Sequence, residues 1–197
     1  MNTNTDVWQT FYQKTLTRKH HPRTEKAIKL DKTGLNNAVD CGCGTGADIS
    51  YLADLGYQVV GFDLNKGALE ICQKRFENVP SVEVTQVSFE NFQFPESSLI
   101  LANASLFFAK PERFDEIWSN LEGSLVSGGV FAGDFLGIKD DWASEHVCPT
   151  IAFRKDQVMD LFNSFDIIEF FERDERGNTQ IGKEKHWHIY SVLAIKH

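Results

Sequence analysis

Apolar positions along the chain alternate between short continuous runs and longer stretches with helical spacing. A short continuous run is typical of a strand covered on both faces, and helical spacing indicates an amphipathic helix. Strands are predicted at residues 38–41, 57–62, 82–87, 98–103, 130–136, 167–171 and 188–195. Helices are predicted between most of them, at residues 47–55, 67–76, 114–125 and 155–162. Strands that alternate with helices predict an α/β fold with a largely parallel sheet.

The two ends of the chain depart from this alternation. Trp8, Phe11 and Tyr12 recur at helical spacing, and a second short helix is predicted with Thr24 as its N-cap. The basic segment at residues 18–23 is typical of a solvated loop. An acidic loop that contains glycine joins the last two predicted strands, which indicates an antiparallel pair. We expect one domain over residues 1–197, with a helical cap at 1–34 and an α/β core at 35–197.

A glycine-rich turn follows the first predicted strand. Asp40 comes near the end of that strand, and Gly42, Gly44 and Gly46 stand at alternate positions after it. Glycine allows a sharp turn and a close ligand approach because it has no Cβ. The helix behind the turn offers unpaired amide N–H groups. The second predicted strand leads into Asp63, and a carboxylate at that point commonly binds ribose hydroxyls. The sequence therefore predicts a nucleoside site.

Two classes of nucleoside-binding protein compete for this turn. Residues 42–47 satisfy the G-x-G-x-x-G/A pattern of NAD(P)-binding oxidoreductases. Asp40 argues against that class, because a carboxylate there would repel a pyrophosphate but would attract an ammonium group. The chain also leaves little length for a second catalytic domain. An NAD(P)-binding oxidoreductase and a cofactor-binding protein without catalysis stay open as alternatives.

The net charge and the positions of the cysteines exclude several classes of binding partner. A net charge of -8 over 197 residues argues against a broad nucleic-acid surface and against binding to anionic membranes. No apolar run has the length of a membrane helix and the first residues are polar, so we expect a cytoplasmic protein. Cys41 and Cys43 have no neighbours that complete a four-ligand set, and no metal site is predicted. A monomer or a homodimer is expected.

The segment Asp40-Cys41-Gly42-Cys43-Gly44-Thr45-Gly46, with Asp63-Leu64-Asn65 after it, resembles the first two motifs of class I S-adenosylmethionine-dependent methyltransferases. The resemblance implies a Rossmann-like three-layer sandwich. Its seven-stranded, mostly parallel sheet would have the order 3-2-1-4-5-7-6, with strand 7 antiparallel. The implied cofactor is S-adenosylmethionine, which leaves as S-adenosylhomocysteine after the methyl group has been transferred.

The same resemblance implies which residues meet the cofactor. Asp40 and the glycine turn are expected to hold the methionyl part, Asp63 the ribose, and Leu64 and Phe89 the adenine. Relatives usually carry an acid at the corner where this chain has Ser88, and Glu90 is displaced from it. The full implied set is Tyr12, Asp40, Gly42, Cys43, Gly44, Gly46, Asp63, Leu64, Ser88, Phe89, Glu90, Asn103 and Ala104.

The prediction of the acceptor site depends on the sequence Lys185-His186-Trp187-His188 near the end of the chain. This sequence resembles the one found near the end of methyltransferases of the tellurite-resistance type. Such alternation is equally typical of an exposed sheet edge. The resemblance implies a small-molecule acceptor, soft or anionic. The substrate-binding residues expected are Trp8, Arg23, Ser105, Phe107, Phe108, Trp142, Lys185 and Trp187. His186 or His188 is a candidate general base, because the ordinary pKa of histidine is about 6.5.

Overall fold

The computed structural model describes residues 4–145 and 149–197, and it describes side chains at 10–144 and 149–197. The helices are α1 Asn4–Thr15, α2 Pro22–Leu30, α3 Ala47–Asp54, α4 Lys66–Arg75, α5 Phe114–Ser124, α6 Trp142–Glu145 and α7 Lys155–Asp160. The strands are β1 Asn37–Cys41, β2 Gln58–Asp63, β3 Val82–Gln86, β4 Ser97–Ala102, β5 Leu125–Gly137, β6 Ala152–Phe153, β7 Phe165–Asn178 and β8 Glu184–Lys196. Short 3-10 helices lie at Leu106–Phe108 and Pro111–Arg113. No helix in the described ranges has the length and apolar character needed to cross a bilayer.

The sheet has the strand order β3-β2-β1-β4-β5-β8-β7, with β6 paired to β5 outside this path. Strands β1 to β5 are parallel to one another, and β8 is antiparallel to both β5 and β7. The predicted order is confirmed, since β7 and β8 are the sixth and seventh predicted strands. Strand β6 is an addition, because two residues carry no periodic pattern that could reveal it. Strand β5 also begins earlier than predicted, and a register shift against β4 between Ser97 and Leu99 accommodates its first residues.

Hydrophobic cores cover both faces of the sheet. Consecutive residues of β4 point to opposite faces, so Ile100 belongs to the core that contains Trp118 of α5, and Leu99 and Leu101 belong to the core that contains Leu52 of α3. Full burial of one large aliphatic side chain stabilises the fold by about 1.5–3 kcal/mol. These two cores make the molecule the three-layer sandwich that the sequence predicts.

The first helix lies over the glycine turn, and the second helix packs on one face of the sheet. The hydroxyl of Thr45, in that turn, donates to the carbonyl oxygen of Thr15 at the end of α1, at 3.2 Å. On the other side of the turn, Arg75 of α4 donates from Nη1 to the carbonyl oxygen of Thr45, at 3.0 Å. Helix α2 buries Ala27 in the same core as Leu52. The turn is therefore held between α1 and α4.

Candidate cofactor and substrate site

A cavity of about 780 Å³ lies where β1, β2 and β4 end, under α1. Of the predicted cofactor-binding residues, the structure brings all except Gly46 to its lining: Tyr12, Asp40, Gly42, Cys43, Gly44, Asp63, Leu64, Ser88, Phe89, Glu90, Asn103 and Ala104. Ser105 and Phe108, two of the predicted substrate-binding residues, also line it. Most of the residues predicted to bind the cofactor, and two of those predicted to bind the substrate, thus line one cavity.

The glycine turn has the backbone conformation that its sequence predicts. Gly42 has a φ of 66°, and a Cβ placed there would lie 2.6 Å from the Cβ of Ser105. Gly46 has a φ of 74°, and a Cβ there would lie 2.6 Å from Cε2 of Phe76. Gly42 thus permits close approach to the loop after β4, whereas Gly46 permits close packing against the end of α4, which explains why Gly46 does not line the cavity.

Asp40 is a buried acid without a partner. Its side chain is 4% exposed, and among the described residues it has no hydrogen bond or ion pair. Burial raises the pKa of this carboxyl well above its usual range, and the nearby charge of Asp48 raises it further. Because an unpaired buried carboxylate is costly, a cationic ligand group at this wall of the cavity would be stabilised by it.

Asp63 is fixed at the end of β2 by two backbone amides. Oδ2 accepts from the amide of Gly44 at 3.0 Å, and Oδ1 accepts from the amide of Asn65 at 2.8 Å. Burial raises the pKa of Asp63, and these amide hydrogen bonds partly offset that rise. Each carboxylate oxygen has a second lone pair, so the group can still accept hydrogen bonds from a ligand diol.

Tyr12 of α1 closes the cavity over the glycine turn. A Cβ placed on Gly44 would lie 3.8 Å from Cε1 of Tyr12. Burial raises the pKa of the Tyr12 phenol, and the charge of Asp63 adds to the rise, so the hydroxyl stays protonated at neutral pH. Tyr12 therefore presents a neutral hydroxyl and an apolar ring to whatever occupies the turn.

The corner after β3 is aromatic. Phe89 packs edge-on against Phe62 with ring centroids 5.0 Å apart, and Phe62 stacks on Phe92 at 4.1 Å. Glu90 accepts from the backbone amide of Lys110 at 2.8 Å. Burial alone would raise the pKa of Glu90, but hydrogen bonds from Ser88 and from that amide bring it below its usual value. The corner thus offers a flat apolar surface beside an ionised carboxylate.

A buried polar network fixes the end of β4. Both guanidinium Nη atoms of Arg23 contact the carboxylate of Asp134 on β5 at 2.8 Å. Nε and Nη2 of Arg23 donate to Oδ1 of Asn103 at 3.2 and 2.7 Å. Asp134 also accepts from the amide of Ala104 at 2.9 Å and from the hydroxyl of Ser191 at 2.6 Å. Ala104 has a φ of 53°, which is unusual for a residue with a Cβ.

Arg23 is consequently occupied within the protein, because its guanidinium is buried with Asp134 and Asn103 and does not line the cavity. Burial alone would raise the pKa of Asp134. The charge and hydrogen bonds of Arg23, with those from Ser191 and Ala104, hold it below its usual value. The structure therefore gives Arg23 a position under the acceptor end of the cavity and no direct exposure to it.

An aromatic wall stands behind Phe108. The ring of Phe108 lies 6.0 Å from that of Trp142 and 4.8 Å from that of Phe107, which is buried and does not line the cavity. Nζ of Lys185 lies between two indoles, 3.8 Å from the centroid of Trp142 and 3.9 Å from that of Trp187. The Lys185 side chain is 2% exposed and donates to the carboxylate of Asp140.

This arrangement separates the tail from the cavity. Trp142, Lys185 and Trp187 lie together but do not line it. The side chain of Trp8, the remaining predicted substrate residue, lies outside the described residues. The wall is held together by cation–π contacts and by the buried ion pair of Lys185.

His186 and His188 lie on one face of β8, opposite two acids of β7. Nε2 of His186 pairs with Asp174 at 2.7 Å, and Nε2 of His188 pairs with Glu172 at 3.2 Å. Neither histidine lines the cavity. Glu172, Asp174 and His188 are close enough to share a metal ion. However, Nδ1 of His188 accepts from the backbone amide of Lys139, which leaves the proton on Nε2, the atom that a metal at this cluster would need.

Several cavity residues were missed by the sequence reasoning. They are Phe11, Arg18, Lys19, His21, Asp48, Lys110 and Asp134. The basic segment was visible as a charge run, but a charge run does not reveal whether it faces solvent or a cavity. The N-cap of α2 is His21 and not the predicted Thr24, since Pro22 takes the first position of the helix and the His21 side chain accepts from the amide of Arg23. Asp134 carries no such signal, since its partners are distant in the sequence.

The cavity lies at the carboxyl edge of the sheet, with one acid near the end of β1 and another at the end of β2, which is the arrangement that the resemblance to class I methyltransferases implies. Residues 38–129 match the family described as "Methyltransferase domain". A protein of Geobacillus sp. (strain WCH70), whose name assigns it provisionally to the methyltransferases, is 34% identical over 88 residues. That match covers 45% of this chain and 29% of the relative, so the chain spans less than a third of its length.

Solved structures agree with this fold. TehB from Haemophilus influenzae superimposes with a TM-score of 0.76 at 21% identity, covering 95% of this chain and 66% of TehB. The N-methyltransferase NodS from Bradyrhizobium japonicum, solved with S-adenosyl-L-homocysteine, superimposes with a TM-score of 0.67 at 14% identity, covering 98% of this chain and 99% of NodS. Residues 38–129 thus match a methyltransferase family, and the solved structures that share this fold include S-adenosylmethionine-dependent methyltransferases, which take S-adenosylmethionine as their cofactor.

The residues present fit that cofactor. Asp40 is a buried carboxylate that lacks a cation among the described residues, and the cofactor carries an ammonium group at its methionyl end. The backbone at Gly42 leaves no room for a Cβ, and Asp63 retains acceptor capacity for a ribose. These features lie in one cavity.

Proposed function

We propose that this protein is a methyltransferase that moves the methyl group of S-adenosylmethionine to a small-molecule acceptor. The observation that carries the proposal is Asp40, a buried and unpaired carboxylate in the cavity wall beside the glycine turn. An ammonium group at that turn would favour the ionised form of Asp40, whereas a pyrophosphate would disfavour it, so the same observation favours S-adenosylmethionine over an NAD(P) cofactor.

Each part of the cofactor has a proposed partner. Asp40 and the backbone of Gly42 and Gly44 would hold the methionyl end, with Tyr12 above them. Asp63 would hold the ribose hydroxyls, and Phe89 and Leu64 would flank the adenine. Bound in this way, the cofactor supplies a methyl group already activated by a positively charged sulfur. The protein's own contribution is then to align the acceptor and to exclude water.

The acceptor would enter near the end of β4. Ser105 and Phe108 line the cavity there, and Trp142 supports Phe108 from behind. The resemblance of the sequence Lys185-His186-Trp187-His188 to methyltransferases of the tellurite-resistance type supports a soft or anionic acceptor of low molecular weight, although these residues do not line the cavity themselves. The net charge of -8 makes a nucleic acid an unsuitable acceptor. We also propose that the protein is cytoplasmic and is either a monomer or a homodimer.

Calorimetric titration with S-adenosylhomocysteine tests the cofactor. We expect a dissociation constant near the micromolar range, about -8 kcal/mol. Asp63→Ala should lose about 1–3 kcal/mol of binding free energy, because it removes a charged hydrogen-bond acceptor. Glu83→Ala is the matched control, since Glu83 is an exposed acid on neighbouring β3 that does not line the cavity. Absence of heat with S-adenosylhomocysteine, together with binding of NADH, would overturn the proposal.

A further inference from the structure

The segment after α1 places two cationic side chains in the cavity wall. Arg18 and Lys19 both line the cavity. The backbone of this segment is anchored at both ends: the amide of Arg18 donates to the carbonyl oxygen of Thr15 at 3.0 Å, and the amide of His21 donates to Oδ1 of Asp48 at 2.8 Å. Between these anchors, the ring of His20 stacks on Tyr51, with centroids 3.6 Å apart.

The acids of the cavity are already engaged. Asp134 is paired with Arg23, and Asp48 accepts from the hydroxyl of Thr24 at 2.6 Å. Glu90 accepts from the backbone amide of Lys110. The two remaining acids, at the ends of β1 and β2, are the proposed cofactor contacts. The hydrogen bonds to Asp48 and Glu90 come from neutral donors and leave their charges in place, but neither acid forms an ion pair with Arg18 or Lys19 among the described residues.

Arg18 and Lys19 have no carboxylate within ion-pair distance among the residues that the structure describes. Both side chains are exposed to solvent as well as lining the cavity, and they contrast with the net charge of -8 that the chain carries as a whole. Since both side chains retain all of their donors, they can bind a carboxylate or a similar anionic group.

His21 adds a neutral donor to the same wall. Its Nδ1 accepts from the amide of Arg23 at 3.2 Å, so the ring proton is on Nε2. Burial lowers the pKa of His21, and the neighbouring charge of Arg23 lowers it further, which keeps the ring uncharged at neutral pH. Nε2 has no hydrogen-bond partner among the described residues. It can therefore donate to an oxygen atom of a ligand.

The basic segment lies on the acceptor side of the cavity. Asp48 joins the two: its Oδ1 accepts from the amide of His21, and its Oδ2 accepts from Nδ2 of Asn103 at 3.4 Å. Asn103 directly follows β4, next to the residues where the acceptor is proposed to enter. Phe11 and Phe108 add apolar surface to the same lining. Cationic and apolar surfaces thus face one cavity.

We propose that Arg18, Lys19 and His21 form the head-group subsite for an organic anion, the acceptor, whose apolar body lies against Phe11 and Phe108. This inference rests on the proposed methyltransferase function and names its substrate class. It distinguishes an organic acid from an inorganic oxyanion, because an inorganic oxyanion has no body to contact the aromatic rings.

The test compares acids with their neutral amides on the protein saturated with S-adenosylhomocysteine. Calorimetry with benzoate against benzamide, and with octanoate against octanamide, measures the preference for the anionic head group. Selenite measures binding of an inorganic oxyanion. We expect at least one acid to bind about tenfold more tightly than its amide and more tightly than selenite, with a preference that falls as salt is raised.

Two variants assign that preference to the subsite. Arg18→Gln combined with Lys19→Gln should abolish the preference for the acid. Lys14→Gln combined with Lys32→Gln removes the same charge from exposed lysines outside the cavity and should leave it unchanged. His21→Asn keeps a side chain that can cap α2 but removes the Nε2 donor, so it should weaken binding of the acid with little change in stability.

The outcomes separate this inference from the function on which it rests. Failure of the unmodified protein to bind S-adenosylhomocysteine would reject the methyltransferase proposal itself. Normal binding of S-adenosylhomocysteine with no acid preferred over its amide would reject only the anionic subsite. A preference that survives in the Arg18 and Lys19 double variant, or selenite that binds as tightly as the acids, would also overturn it.

Discussion

Arg23 and Asp134 form a bidentate ion pair in the protein interior, with Nη1–Oδ1 and Nη2–Oδ2 distances of 2.8 Å. The pair joins α2 to β5, across 111 residues of sequence. Asp134→Asn preserves the shape of the side chain but leaves the guanidinium buried without its counter-charge. We expect a loss of about 3–5 kcal/mol in the free energy of unfolding, measured by urea denaturation.

The matched control is Glu169→Gln, which breaks the exposed pair between Lys26 and Glu169 and should change stability very little. The pKa of Asp134 lies below its ordinary 3.8 in the folded protein. Its contribution is therefore fully present above pH 3.8 and is lost as the pH falls through the lower folded value. Equal acid sensitivity of the parent and Asp134→Asn would contradict this assignment.

Alanine substitutions at Gly42 and Gly34 distinguish the effect of close packing from the effect of a positive φ. Both have positive φ, 66° and 74°, so alanine at either position costs about 1 kcal/mol or more of strain. At Gly34 a Cβ meets nothing within 4 Å, whereas at Gly42 it meets Ser105. We expect Gly42→Ala to lose stability beyond Gly34→Ala and to bind S-adenosylhomocysteine at least tenfold more weakly, about 1.4 kcal/mol. Thermal unfolding and calorimetry distinguish the two; equal effects would refute the close-approach role.

Asp40 should couple cofactor binding to proton release. Its carboxyl has a pKa well above 3.8 in the cavity, and an ammonium group favours the ionised form. Affinity for S-adenosylhomocysteine should therefore fall as the pH is lowered through that raised pKa. The stability of the protein without ligand depends on pH in the opposite direction. Its free energy of unfolding falls as the pH rises through the same range, because the folded state then loses the proton of Asp40.

Calorimetry in buffers of different ionisation enthalpy measures the protons released on binding. Asp40→Asn should bind more weakly and should release no such proton, which makes it the control for other titrating groups. Proton release that persists in Asp40→Asn would assign the coupling to a different residue.

His186 and His188 provide a prediction about catalysis. Both were candidate bases from the sequence, yet both are paired with acids of β7 and neither lines the cavity. We expect His186→Gln and His188→Gln to keep the pH profile of methyl transfer. His188→Gln should lower the melting temperature more, since its ring is 1% exposed and accepts from Lys139. Loss of the basic limb of the profile in either variant would restore a catalytic role.

The parts of the site that the sequence predicts are those set by local chemistry. Asp40 and Gly42 are separated by one residue of a strand-to-helix turn, and Asp63 is placed by the end of the next parallel strand. Their proximity follows from the topology alone. Arg23 illustrates the opposite case, because its partner Asp134 depends on where α2 crosses the sheet, and no spacing in the sequence encodes that crossing.

The acceptor end was harder to predict for the same reason. The tail motif predicts that Lys185 and Trp187 bind the substrate, but the ammonium group of Lys185 is enclosed between Trp142 and Trp187, and neither predicted residue lines the cavity. His21 was predicted only as part of a basic loop, and its contact with Asp48 turns it toward the cavity. Tertiary contacts between distant segments decide both outcomes.

The enclosure of Lys185 between Trp142 and Trp187 has an optical consequence. Indole emission responds to nearby charge, and these two of the four tryptophans share one ammonium group at under 4 Å. Trp142 also stands against Phe108, which faces the cavity. The protein therefore carries an intrinsic fluorescent reporter in the aromatic wall behind Phe108, through which the arrival of a ligand can be followed in real time without a label.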